Sequence, residues 1–234
     1  MSANKFEEDI LRTVEKAVTF YGGQIYSRLT KLSSKLIELH RINKVKVNHS
    51  VMEIVMGAYL VNRGYEVYVE EEVGDSLIAD VVAYRNGKRM IIEIETGFVS
   101  PENALDPQSY LTARIISKTA RYGKHADVFS LATPLHNILQ IPDFYLKPFK
   151  ERRKEETIIL KNLCDRYYSN PPITLEDIEK SEIKSIYLLN IDTLEVRKLT
   201  LRKYVKSTIS KLTPRKIDIK KYVEWSQLSE QVRA

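Results

Sequence analysis

Three stretches near the start of the chain repeat apolar residues at the spacing of an α-helix. They run from Asn4 to Phe20, from Gln24 to His40 and from Asn48 to Arg63. Gly22-Gly23 separates the first two, which predicts a helical hairpin, and Gly64 follows the third where helices commonly end. The third stretch is apolar nearly all round, so we expect that helix to be buried.

Residues 76–96 have the composition of a β-hairpin. Two runs rich in Val, Ile and Tyr flank Asn86-Gly87, a dipeptide that suits the two positive-φ positions of a type I′ turn. With this turn, Asp80 faces Glu93 across the hairpin. Glu95 points to the same side as Glu93, because side chains alternate along a strand.

The elements around the hairpin predict an α/β chain. A strand is predicted from Tyr65 to Val73, a helix opens at Asp106-Pro107 and stops at Gly123, and a short strand covers Asp127 to Ala132. The predicted order is helix, three strands, helix, strand, which favours a mixed central sheet flanked by helices.

The last third of the chain has a less regular pattern. A highly charged helix is predicted from Pro148 to Tyr168, and Ile186–Ile191 with Leu194–Leu199 is predicted to form a small hairpin. The predicted domains are an N-terminal helical region at residues 1–47, an αβββαβ core at residues 48–140 and a basic α/β extension at residues 141–234.

Composition limits the classes of protein. A chain of 234 residues with 43% hydrophobic residues can bury one sizeable core with an appendage. The single cysteine, Cys164, excludes a disulfide framework and a cysteine-based zinc site. No apolar run is long enough to cross a membrane, and the start is not a signal peptide, so we expect an intracellular protein. The formal charge of +6 favours a polyanionic partner, although simple solubility explains it equally well.

Three carboxylates crowd one face of the predicted hairpin. Like charges directly opposite each other, as at Asp80 and Glu93, are destabilising. A divalent cation would offset the repulsion, because Mg²⁺ binds carboxylate oxygens and leaves room for water and phosphate. A solvated surface neutralised by Arg and Lys is the alternative, but Ile78, Val82 and Ile91 on the same face are not typical of a wet surface.

Glu53 is the only charge between Val51 and Val61 of the third helix, and two explanations stay open. In a capping box, Ser50 would be the N-cap residue and Glu53 would bond back to its amide. Alternatively, Glu53 leans towards the acids of the hairpin. The four histidines show no ligand spacing and are expected to be structural or at the surface: His40, His49, His125 and His136.

Asp80 and Glu93-Ile94-Glu95 resemble the motif of the PD-(D/E)xK nuclease superfamily, the restriction-endonuclease-like fold that also includes archaeal Holliday junction resolvases. That motif places an Asp on one strand and a (D/E)-x-K tripeptide on the next. Ala79 stands where the motif has Pro, and Glu95 stands where it has Lys, as in some restriction endonucleases. The predicted αβββαβ order is similar to the conserved core of this superfamily, and the resemblance implies an archaeal member. The abundance of Lys, Glu, Ile and Tyr is typical of a thermophilic protein.

The resemblance implies a metal-dependent DNA endonuclease, a hydrolase of phosphodiester bonds. Asp80 and Glu93 would hold Mg²⁺ or Mn²⁺ with the backbone carbonyl of Ile94. Glu53 would be a further ligand, because the helix before the sheet supplies one in many members. Glu95 would orient or deprotonate the attacking water, or hold a second ion.

Arg114, Lys118 and Arg121 form one basic stripe on the second core helix. In superfamily members without the motif Lys, a Lys from this helix can replace it. The resemblance therefore implies Lys118, or Arg114, as the cation that stabilises the phosphate during the reaction. Arg114 and Arg121 are also expected to contact DNA, and a solvent-facing stripe is the alternative.

Two basic regions flank the predicted core. The first is the second helix with its exit, interpreted either as a DNA-facing arm or as a solvated helix face. The second is the C-terminal end, where aromatic residues are interleaved with the basic residues, a pattern that suits DNA binding. A basic surface helix or a dimer interface is the alternative interpretation. The cations are Arg28, Lys31, Lys35, Arg41, Lys44 and Lys46 in the first region, and Arg202, Lys203, Lys206, Lys211, Arg215 and Lys216 in the second.

The expected function is a Mg²⁺-dependent DNA endonuclease of the cytoplasm, associated with the nucleoid, which would act as a homodimer if it cuts both strands. An inactive DNA-binding or chromatin-associated protein with the same fold is the alternative, because Glu95 replaces the motif Lys. The third option is a subunit of a larger assembly, in which the basic C-terminal tail would bind an acidic protein. The sequence leaves open whether the DNA is duplex, branched or single-stranded.

Overall fold

A computed structural model describes residues 3–45, 47–74 and 77–209 of the chain. The helices of this part are α1 (Ala3–Tyr21), α2 (Tyr26–Arg41), α3 (Val47–Val61), α4 (Pro107–Gly123), α5 (Lys154–Tyr167), α6 (Leu175–Lys180) and α7 (Leu201–Ile209). The strands are β1 (Glu66–Gly74), β2 (Leu77–Arg85), β3 (Lys88–Ile94), β4 (Val128–Pro134), β5 (Ser185–Leu189) and β6 (Val196–Thr200). Among the described helices, none combines the length and the apolar character needed to cross a membrane.

The strands form one mixed sheet in the order β1-β2-β3-β4-β5-β6. β1, β2 and β3 are antiparallel neighbours, β3, β4 and β5 run parallel, and β6 is antiparallel to β5. The expected α/β class with a mixed sheet is confirmed, and α3, β1, β2, β3, α4 and β4 follow one another in the predicted order. The small hairpin of β5 and β6, which the sequence placed in the C-terminal extension, continues this same sheet.

The hairpin of β2 and β3 has the predicted turn and register. Asn86 and Gly87 have φ values of 52° and 71°, as a type I′ turn requires. Val82 pairs with Ile91. The turn therefore fixes which residues of β2 and β3 face each other, and this register positions the acids.

We expect Gly87→Ala to lower the free energy of unfolding by about 1 kcal/mol, because the Cβ atom of an L-residue disfavours the left-handed backbone conformation by about that amount. Urea denaturation measures the change. Gly23→Ala is the matched control, since Gly23 has no positive φ and an added Cβ would meet no atom within 4 Å. Equal losses in the two variants would contradict the assigned turn.

The described residues form two compact units. The first contains the residues up to 98 together with 122–138 and 183–200, and therefore the whole sheet with α1, α2 and α3. These helices pack with one another and against the sheet, and their apolar side chains form one core with those of the strands. Ile54 of α3, Val81 of β2 and Ile92 of β3 are fully buried there. The burial of α3 confirms the prediction made from its apolar sequence.

The second unit contains residues 99–121 and 139–182 and the described residues from 201 onward. Its charged helix α5 begins at Lys154, six residues later than the predicted start at Pro148. The preceding segment is instead a short 3₁₀ turn followed by extended backbone at Arg152. The Arg152 guanidinium donates to the carbonyls of Glu179 and Ser181, at 2.6 and 2.8 Å, and lies over the ring of Phe149. These contacts hold residue 152 outside the helix.

Candidate metal centre

Asp80 of β2 and Glu93 of β3 lie side by side, as the hairpin register predicts. The backbone N–H of Asp80 donates to Oε1 of Glu93 at 3.1 Å, and the backbone N–H of Ile94 donates to Oδ2 of Asp80 at 2.6 Å. Both carboxylates are buried. Side-chain oxygens therefore accept backbone hydrogen bonds at this end of the hairpin, which fixes the orientation of the Asp80 carboxylate.

Helix α3 supplies a third carboxylate, Glu53. The capping-box explanation is wrong, because α3 begins at Val47 and Ser50 therefore lies within the helix instead of at its N-cap. Glu53 is 0% exposed, and no well-aligned hydrogen bond reaches either oxygen of its carboxyl group from the residues that the structure describes. Hydrogen bonding with the Glu70 side chain helps to raise the pKa of Glu53 but supplies no positive charge. A buried acid without a cationic partner among the described residues is costly, and a bound cation would explain it.

His49 lies on the same side of α3, four residues before Glu53. The imidazole is buried, and its Nδ1 lies 3.6 Å from Oδ1 of Asp80, too far for a hydrogen bond. One ligand atom from each of His49, Glu53 and Asp80 lies within 4.8 Å of the other two. We call these three residues the HED cluster. One nitrogen and two carboxylate oxygens at this separation form a donor set that could hold a divalent cation.

The electrostatics of the cluster favour a cation. The pKa of Glu53 is well above its usual value, first because of burial and then because of the nearby charges of Asp80, Glu70 and Glu93. Each of these causes penalises the ionised carboxylate. A bound cation would reverse the penalty, because it favours the ionised form of its ligands.

Glu70 of β1 is a further acid at this place. Val69 pairs with Val81 and Glu71 with Ala79, so Glu70 stands opposite Asp80. Its φ of 46° lies in the left-handed region, which is uncommon for a residue other than glycine. Backbone strain of this kind concentrates at functional sites, and here it occurs beside the HED cluster.

Glu95, the residue after β3, is held by the end of β4 and by the segment that follows it. Glu95 is buried, and its N–H donates to the carbonyl of Ala132 at 2.8 Å. Its own carbonyl accepts from Oγ1 of Thr133 at 2.8 Å and from Nδ2 of Asn137 at 3.1 Å. The backbone of Glu95, the residue at the motif Lys position, is therefore rigidly fixed.

The predicted cations lie in the second unit. Arg114, Lys118 and Arg121 are half-buried residues of α4. Nη2 of Arg121 donates to the carbonyls of Tyr168 and Pro171, so this guanidinium holds the segment that follows α5. Arg202, Lys203 and Lys206 are on α7, each with an exposed side chain. Four predicted DNA-contacting residues lie outside the described residues: Lys46, Lys211, Arg215 and Lys216.

Comparison with known proteins gives no identity. No family model matches the chain. No curated protein and no solved structure matches it either. The function therefore has to be argued from the site itself.

The sequence identified Asp80, Glu93 and Glu53 as candidate ligands but missed His49 and Glu70. The spacing of His49 and Glu53, four residues apart in a predicted helix, would have indicated that the two side chains share a helix face. No comparable pattern marks Glu70. Its position depends on a positive φ inside a strand. A glutamate in the sequence gives no indication of such a backbone conformation.

Proposed function

We propose that the protein is a divalent-metal-dependent nuclease that hydrolyses phosphodiester bonds of DNA. The observation that supports this most strongly is Glu53, a fully buried carboxyl group that receives no well-aligned hydrogen bond from the described residues, beside His49 and Asp80. Burying a carboxyl group without a compensating ligand is unfavourable, and burial together with the neighbouring acids raises its pKa. A metal ion held by the HED cluster would give these three side chains a function.

The roles of the residues follow from their positions. When bound, a divalent cation would neutralise charge on a phosphate and lower the pKa of a water molecule. Asp80 would present Oδ1 to it, because Oδ2 accepts the hydrogen bond of Ile94. Glu93 would add negative charge beside the ligands. By the resemblance to the PD-(D/E)xK motif, Glu95 would orient or deprotonate the attacking water.

The reaction also needs a cation that stabilises the phosphate. The resemblance nominates Lys118, with Arg114 as the alternative. A fixed positive charge lowers the barrier where negative charge develops in the reaction. Replacing each residue by Gln in turn and measuring the cleavage rate identifies which one acts.

We expect the site to bind Mn²⁺ about tenfold more tightly than Mg²⁺, because Mg²⁺ prefers oxygen ligands and His49 offers a nitrogen. His49→Gln should weaken Mn²⁺ binding more than Mg²⁺ binding and so reduce this preference. Isothermal titration calorimetry of the metal-free protein measures both affinities. His136→Gln, at an exposed histidine, is the control. An unchanged preference in His49→Gln would remove His49 from the ligand set.

The experiment that tests the function is incubation of the purified protein with labelled duplex, single-stranded and four-way-junction DNA. Each substrate is tested with Mg²⁺, with Mn²⁺ and with a chelator. Cleavage that depends on the metal supports the proposal and identifies the preferred substrate. Retention of DNA without cleavage under every metal would overturn it.

A DNA-binding protein that has lost catalysis is the second candidate. Glu95 favours it, because this buried acid stands where the PD-(D/E)xK motif has its Lys. It predicts binding that weakens steeply as the salt concentration rises, with no cleavage under any divalent ion.

A further inference from the structure

A groove of about 660 Å³ in the first unit lies between α2 and β1, the edge strand of the sheet. We call it the α2–β1 groove. Helix α2 supplies one wall with three cations, and β1 and the end of β2 supply the other with two tyrosines and a fourth cation. These six residues are Arg28, Lys31, Lys35, Tyr68, Tyr84 and Arg85.

The three cations of α2 lie on one face of the helix, because they are spaced at i, i+3 and i+7. Lys35 pairs with Glu71 at 2.7 Å, and Nη1 of Arg28 donates to the carbonyl of Tyr65 at 3.3 Å. Lys31 is exposed and has no ion pair among the residues that the structure describes. Part of the positive charge of the groove is therefore not neutralised by ion pairs within the groove.

The other wall adds one cation and one acid. Arg85 is exposed beside the turn, and its guanidinium lies 5.2 Å from the ring centre of Tyr65. Glu66 also lines the groove, and its carboxylate accepts a hydrogen bond from the Tyr68 hydroxyl at 2.5 Å. The cations that line the groove therefore outnumber the single acid in its lining. A polyanion is the ligand that this arrangement favours.

Two aromatic rings lie between these cations. Tyr68 and Tyr84 pack edge to face with their ring centres 6.0 Å apart, and each is 37% exposed. Phosphate binding by charge alone needs no aromatic surface. Aromatic rings inside a basic groove are typical of sites that stack unpaired bases of single strands.

The groove is connected to the HED cluster through the sheet. Asp80 and Tyr84 both belong to β2, and their separation by four residues corresponds to about 13 Å along the strand. Tyr68 precedes Glu70 by two residues on β1. A strand of nucleic acid that lies along the groove would therefore extend towards the acids.

We infer that the α2–β1 groove binds a single-stranded segment of DNA, with its cations on the phosphates and its two tyrosines stacked on bases. The choice of DNA as ligand rests on the proposed nuclease function. The groove would then deliver an unpaired strand to the HED cluster. The competing possibility, which the experiment tests, is that the same groove binds duplex DNA.

The test is fluorescence anisotropy with a labelled oligodeoxythymidine of roughly 12 nucleotides, a length within the range of single-strand sites. Measurements are made in a chelator, so that binding does not depend on cleavage. The variants are Lys31→Glu with Arg85→Glu, and Tyr84→Leu, which keeps an apolar side chain but removes the ring. Arg12→Glu with Lys16→Glu changes the net charge equally at exposed positions of α1 and is the control.

We expect the groove charge variant to bind at least about tenfold more weakly, with a salt slope smaller by about 1.4, since each phosphate contact on a single strand contributes about 0.7. Tyr84→Leu should weaken binding about fivefold or more and leave the salt slope unchanged, because stacking does not release counterions. The control should bind like the wild type apart from a small effect of net charge.

Groove variants that bind like the control would overturn the inference, and so would equal affinity for a matched duplex together with no effect of Tyr84→Leu. The binding and cleavage experiments together distinguish a failure of the groove inference from a failure of the proposed nuclease function. Groove-dependent binding by a protein that cleaves nothing would overturn the nuclease and keep the groove. Metal-dependent cleavage with unchanged binding in the variants would overturn the groove alone.

Discussion

Asp80→Asn is expected to reduce metal-dependent DNA cleavage by more than about 100-fold, beyond the usual effect of losing a residue that only supports a metal ligand. The asparagine keeps an oxygen that can accept the hydrogen bond of the Ile94 N–H, so the hairpin should fold as before. It lacks the negative charge that a divalent cation requires. Cleavage rates at saturating Mn²⁺ measure the effect.

Binding of DNA should change little in Asp80→Asn, because the substitution removes one buried charge and leaves the basic surfaces intact. Asp192→Asn, at an exposed aspartate of the same unit, is the matched control and should cleave at the wild-type rate. Cleavage by Asp80→Asn at the wild-type rate would show that the reaction does not use this carboxylate.

Glu53→Met is expected to stabilise the metal-free protein while abolishing its stabilisation by metal. Methionine fills a similar volume in a helix that is otherwise apolar, and it removes a buried carboxyl group that receives no well-aligned hydrogen bond from the described residues. The expected gain at neutral pH is about 2 kcal/mol, or roughly 4–8 °C in Tm. Thermal unfolding with and without Mn²⁺ measures both effects, since a ligand that binds only the folded state raises Tm.

The gain should depend on pH in a defined direction. Because the pKa of Glu53 is raised in the folded protein, stability falls as the pH rises from the ordinary value of 4.5 through the raised pKa. The wild type is therefore penalised most at high pH, and the advantage of Glu53→Met should shrink as the pH is lowered. Glu15→Met, at an exposed position of α1, should show neither the gain nor its pH dependence. A destabilised Glu53→Met with unchanged metal binding would contradict the assigned role.

Local sequence rules predicted the part of the fold that carries the candidate site. Asn86-Gly87 specified the turn, and the turn specified that Asp80 and Glu93 are neighbours, because strand pairing leaves no freedom once the two loop residues are known. Asp106 was predicted as an N-cap, and its Oδ1 accepts from the N–H of Ser109 at 3.3 Å. These features depend on a few adjacent residues.

The features that sequence did not predict depend on distant parts of the chain. Arg152 prevents α5 from starting at Pro148 through carbonyls about thirty residues later, at Glu179 and Ser181. The pairing of β5 with β4 is parallel. Parallel strands are not joined by a tight turn, so no turn sequence predicts that they pair. Glu70 takes a positive φ that a glutamate avoids in isolation. Local propensity gives no indication of any of these.

The central claim is that His49, Glu53 and Asp80 hold a divalent cation. A crystal structure of the protein grown with Mn²⁺, with diffraction data collected where manganese scatters anomalously, tests it most directly. We predict an anomalous peak among the His49 imidazole and the carboxylates of Glu53 and Asp80. A map with no peak there, from protein that cleaves DNA with Mn²⁺, would contradict the account.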